Sequence, residues 1–122
     1  MNKSKLFTDQ YQTGLLRGRL GWNPVSTDPK TRTKCFSLSD IGDSLLPRRL
    51  RIDGDIYWLT SNVSLDERGC AVWHAYYRMM NEEEFAFENY GYTLLDAMVN
   101  LALDLKEYES EYEEYNETIE EV

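Results

Sequence analysis

Cysteine and histidine are nearly absent: the 122 residues hold two cysteines, Cys35 and Cys70, and one histidine, His74. Neither cysteine belongs to a C-x-x-C pair, which excludes a zinc ligand set or a dithiol redox motif and makes a reduced, cytoplasmic setting the simpler expectation. His74 stands between Trp73 and Ala75 in a strand-like run and reads as structural. Cys70 lies four positions before it on the same strand face, about 13 Å away, too far for direct proton transfer. No G-x-S-x-G, H-E-x-x-H, P-loop or G-x-G-x-x-G occurs. The sequence therefore names no catalytic, cofactor-binding or metal-ligating residue, and no enzyme is expected. Long apolar runs are missing as well. MNKSKLFTDQYQTGLL lacks a signal-peptide core, and no stretch reaches the length of a membrane span, so no membrane partner is expected.

Positive charge is scarce in the second half. Residues 1 to 52 carry ten Lys or Arg against four acids, a net of +6, whereas residues 53 to 122 carry three against eighteen, a net of −15. The total of −9 argues against direct contact with nucleic acid or an anionic membrane. The asymmetry has two explanations: the halves neutralise one another within one fold, or the acidic half meets a basic surface elsewhere.

At this length the chain fits one domain, residues 1–122, able to bury a core without metal or disulfide. Residues 1–36 form a basic N-terminal segment. Within it, Leu6 to Trp22 is interrupted by Gly14, Gly18 and Gly21, which favours a short strand or irregular chain over a helix. Asn23 to Lys34, with Pro24, Pro29 and three basic residues, reads as an exposed loop. Residues 37–92 open with a short helix capped by Ser37 or Ser39 and stopped by Pro47. A meander of about four strands follows: RLRI, a turn at Asp53-Gly54, IYWLTSNVS, DERG, CAVWHAYYRMM, NEEE and FAFENYG. Alternation in the third strand buries Ala71, Trp73, Ala75, Tyr77 and Met79, and either Ile56 with Trp58 or Tyr57 with Leu59 joins them, as do Phe85 and Phe87. The fold class is α+β, an antiparallel meander covered by one long C-terminal helix.

That helix, residues 93–122, starts at the capping sequence TLLD and keeps an apolar stripe through Leu94, Met98, Leu101, Leu105, Tyr108, Tyr112, Tyr115, Ile119 and Val122. Up to Leu105 the stripe is wide enough to lie on a sheet. Beyond Lys106 it narrows, and carboxylates flank it. Self-association through this seam would set glutamate against glutamate, so a partner protein with a basic surface is expected. The candidate partner-binding residues are Glu107, Tyr108, Glu109, Glu111, Tyr112, Glu113, Glu114, Tyr115, Glu117 and Ile119. The basic surface is either foreign or the chain's own, through Arg17, Arg19, Lys30, Arg32 and Lys34.

The run SLSDIGDSLLPRRLRIDGDIYWLT, the strand VWHAYYRMM and the segment YGYTLLDAMVNLALDLKE together resemble the layout of small phage and prophage proteins of unassigned role. Residues 70 to 106 are also similar to the antitoxin half of HicA/HicB-type pairs, without the DNA-binding extension of that family. The first resemblance implies a stoichiometric inhibitor of a host nucleic-acid enzyme or defence complex, of the anti-CRISPR kind. The second implies an accessory or antitoxin-like protein.

Overall fold

Asp9 begins the first regular element by a reciprocal pair of bonds, its carboxylate accepting from the Gln12 amide while its own amide donates to the Gln12 side chain. In the computed structural model, which describes residues 5–80 and 82–114, this capping box opens helix α1, Gln10–Leu20. A helix here corrects the expectation of a strand or irregular segment. Gly14 and Gly18 point to solvent, Gly21 closes the helix in the left-handed conformation, and Arg17 and Arg19 sit in its last turn. Caps and charges at both ends offset the roughly 1 kcal/mol each interior glycine costs.

The stretch expected as a loop contains a small hairpin, β1 (Ser26–Thr27) against β2 (Lys34–Cys35). Lys30, Arg32 and Lys34 remain exposed on it. The short helix before Pro47 is a π-helical turn over Asp40–Leu45, entered through Ser37, whose hydroxyl accepts from the Asp40 amide. Asp40 in turn accepts from Ser26 at 2.6 Å and from the Ser37 amide.

The meander forms as expected: β3 (Arg49–Ile52), β4 (Asp55–Leu65), β5 (Ala71–Met79) and β6 (Phe85–Gly91), all antiparallel. Asp53 and Gly54 both take positive φ at the first turn, the conformation such hairpins require. Helix α2 (Leu94–Glu107) lies on β5 and β6, with the Thr93 hydroxyl accepting from the Asp96 amide. Gly91 permits the approach, since a Cβ there would stand 2.6 Å from the Ala97 nitrogen. After α2 a 3₁₀ turn (Glu109–Glu111) leads to a fifth strand, β7 (Glu113–Glu114), paired with β3. The sheet order is β6-β5-β4-β3-β7.

The architecture is α+β, with two departures from expectation. Among the described residues the main sheet has five strands, and the helix after Thr93 stops at Glu107 instead of continuing as one long helix.

The core lies between sheet and helices and contains Leu16, Phe36, Ile41, Leu50, Tyr57, Ala75, Tyr77, Leu95, Val99, Leu101 and Leu105. Register places Tyr57 and Leu59 on this side, opposite Met79 and Tyr77. Trp73 and Leu94 pack at its border. Phe87 joins it, but Phe85 does not: a register shift between Ala75 and Tyr77, with positive φ at Phe87, leaves Phe85 beside His74 and Tyr76 on the other face.

The N-terminal ends of both helices meet at Asp96, which accepts from Lys5 Nζ at 3.0 Å and Gln12 Nε2 at 2.7 Å. Burial disfavours the Asp96 carboxylate, but the hydrogen bonds from Lys5, Gln12 and Thr93 outweigh it and hold its pKa below the usual value. A depressed folded pKa contributes stability above the unfolded value of 3.8, and that contribution is lost as pH falls through the folded value. Asp96→Asn should therefore cost about 1 to 3 kcal/mol at neutral pH. Urea melts at a series of pH values should show the difference from wild type shrinking in acid. A difference independent of pH would contradict this role.

Candidate functional site

Helix α2 ends where its sequence turns acidic. Its C-terminus carries a partial negative charge, which Glu107, Glu109 and Glu111 would face if the helix continued, with only Lys106 to oppose them. Tyr108 leaves helical geometry at φ −116° and ψ 21°. Four residues on, the Tyr112 hydroxyl donates to the carbonyl of Leu105 at 3.3 Å, a second bond to an oxygen that already accepts from the Tyr108 amide at the helix end. The Tyr112 ring packs edge-on to Phe87, with centroids 5.6 Å apart, and Phe87 also meets Tyr108 at 5.8 Å. Tyrosines spaced for a continuous helical stripe thus serve to fold the chain back. Burial raises the Tyr112 pKa, and the charges of Glu109 and Glu114 add to it.

The return of the chain places Glu113 opposite Arg51 and Glu114 opposite Leu50. Glu107, Glu109, Glu111, Glu113 and Glu114 are all exposed. Lys106 binds Glu109 at 3.1 Å, an exposed pair worth less than about 1 kcal/mol. Of the expected partner-binding residues, the structure brings Glu107, Tyr108, Glu109, Glu111, Tyr112, Glu113 and Glu114 together, although not on one helix. Tyr115, Glu117 and Ile119 lie outside the described residues, as does Val122.

Two concave surfaces flank Tyr112. On one side a cleft of about 290 Å³ is lined by Arg51, Asp53, Gly54, Ser110, Glu111, Tyr112 and Glu113. Asp53, from the β3–β4 turn, thereby joins the tail carboxylates. Sequence reading missed it, because its role as a turn former accounted for it fully. On the other side a groove of about 390 Å³ has an apolar floor that includes Leu20, Trp22, Leu45 and Pro47, with Lys106, Glu109 and Glu114 among its polar lining.

Among the described residues Arg17, Arg19, Lys30, Arg32 and Lys34 make no ion pair with the tail glutamates. Lys30 lines a hollow with Lys5 and Thr93 at the opposite end of α2, about 20 Å from Glu107 by helix rise. Arg51, in β3, meets the described part of the tail.

His74 belongs to a different face of the sheet. Its ring lies flat between Tyr76 and Tyr90, at centroid distances of 4.3 and 4.4 Å, and its Nε2 is 3.0 Å from Glu88 Oε1. Tyr90 donates to the same carboxylate oxygen. Stacking on two sides, the hydrogen bond with Glu88 and edge contact with Phe85 hold the imidazole in place. The period-two pattern had put His74 and Tyr76 together, but their partners on β6 depend on the register shift and were not legible.

Cys35 is buried and Cys70 half-buried, both as free thiols. Among the described residues no group of three or more His, Cys, Asp or Glu side chains could hold a metal ion, and no helix is long and apolar enough to cross a membrane. Comparison with protein-family models, curated proteins and solved structures finds no match to this chain.

Proposed function

We propose that this chain is a non-enzymatic protein-binding module that presents Glu107, Glu109, Glu111, Glu113 and Glu114, together with Asp53, to a basic surface of another protein. The observation that carries this reading is the use of the tail's backbone and Tyr112 for folding while its carboxylates stay outside, around a cleft and beside a groove with apolar residues in its floor. Arginine or lysine on a partner suits the carboxylates of the cleft, and an apolar side chain suits the floor of the groove. Tyr108, half-exposed beside Phe87, adds an aromatic contact at the rim. Tyr115, Glu117 and Ile119 extend the same proposal in sequence.

Enzymes that handle nucleic acid carry basic grooves, and an acidic ridge associates quickly with such surfaces by electrostatic steering. With the resemblance to small phage proteins, this favours an inhibitor of a host nucleic-acid enzyme or defence complex, of the anti-CRISPR kind, acting in the cytoplasm. The pairing of Glu113 with Arg51 across β7 and β3 favours a second reading, an accessory structural or antitoxin-like protein in which the acidic segment serves its own fold.

Salt separates the two. A protein retained from cell lysate by the immobilised chain, once purified, should lose about tenfold in affinity between low and physiological ionic strength. A complex insensitive to salt would contradict the acidic contact.

A further inference from the structure

Strand β4 is longer than its neighbour on one side. β5 pairs with it from Tyr57 to Leu65, but β3 reaches only from Asp55 to Trp58, with one more bond from the Leu59 amide to the Arg48 carbonyl. In an antiparallel strand successive residues direct their N–H and C=O groups to opposite sides. Since Leu59 points toward β3, Ser61, Val63 and Leu65 point the same way, beyond the end of β3. Their main-chain groups form an edge that no described strand pairs.

Natural edges are usually guarded by lysine, proline, a bulge or an inward charge. Thr60 to Leu65, TSNVSL, has none of these. Its last five residues are exposed, Val63 by 49% and Leu65 by 72%. Both lie on the helix-side face, opposite Trp73 and Ala71 of β5. In a chain of net charge −9, an uncharged, β-prone edge with protruding apolar side chains is the region two copies can bring together without setting like charges face to face.

We propose that Ser61, Val63 and Leu65 form a strand-pairing interface with a second copy of this chain, antiparallel about a two-fold axis at Val63. This register sets Ser61 against Leu65 and Val63 against its own equivalent, so each outward residue exchanges its N–H and C=O with the residue opposite. It joins two five-stranded sheets into one and covers Leu65, Val63 and the border of Trp73 with the same side chains from the other copy. Asn62 faces Ser64 on the other side, a polar pair compatible with the exposed face. A two-fold strand pairing is self-complementary, as an isologous dimer requires.

Sedimentation of the full chain at rising concentration should show a species of twice the 14.4 kDa chain mass. Raising salt should strengthen it by screening the repulsion of two acidic chains, the opposite of the effect on the acidic ridge. Val63→Lys and Val63→Asp should each abolish the dimer, because like charges then meet at the axis. Mixed in equal amounts they should restore it. Ser61→Pro, which removes an outward N–H and is tolerated at a strand edge, should also give monomer. Far-UV circular dichroism and melting of the monomers should show that the fold is kept. Monomeric wild type at several hundred micromolar, an undiminished dimer in a folded Val63→Lys or Ser61→Pro variant, or a Lys and Asp mixture that stays monomeric would overturn the pairing.

Discussion

Leu101→Ala should lower the unfolding free energy by about 2 to 5 kcal/mol in urea melts. Leu101 has no solvent exposure and lies in the cluster that includes Tyr77, Val99 and Leu105. Helix α2 rests on β5 and β6 here and cannot close over the lost methyl groups without moving away from Gly91, where contact is closest. The cavity should therefore persist and add to the lost transfer energy. A loss below about 1 kcal/mol would mean that α2 does not seal the sheet.

Legibility followed the locality of the signals. Asp53-Gly54 and the alternating runs placed β3 to β6, because turn chemistry and period two act over a few residues. TLLD placed the start of α2, and the width of the stripe from Leu94 to Leu105 identified the half that packs. Helix α1 was hidden because three glycines spoke against it, while the Asp9 and Gln12 capping box spoke for it in only two residues. The tail failed for a different reason. Tyr108 and Tyr112 keep helical spacing, but spacing does not reveal whether a surface awaits the stripe. Phe87, turned inward at a bulge, supplies a nearer one, and the carbonyl of Leu105 supplies a hydrogen bond. Asp53 joined the candidate site only through β7, an element that no short-range pattern announces in two residues.

The second large effect concerns this tail. A chain stopped after Lys106 loses Tyr112 from the border of the core, the bond to Leu105 and strand β7, and exposes the edge of β3. Burying a large aromatic side chain contributes about 1.5 to 3 kcal/mol, so the truncated chain should be destabilised by roughly that amount and should also fail to hold its partner. An unchanged melt would mean that the tail does not dock as described. Truncation alone mixes folding with binding, whereas the carboxylates can be changed where they stand. Glu107, Glu109 and Glu111 are exposed and take no part in the core, so replacing all three by glutamine should leave stability within about 1 kcal/mol of wild type. The decisive measurement is the affinity of this folded triple variant for the partner at physiological salt. The acidic-ridge account predicts a loss of about tenfold or more, and full wild-type affinity would contradict it.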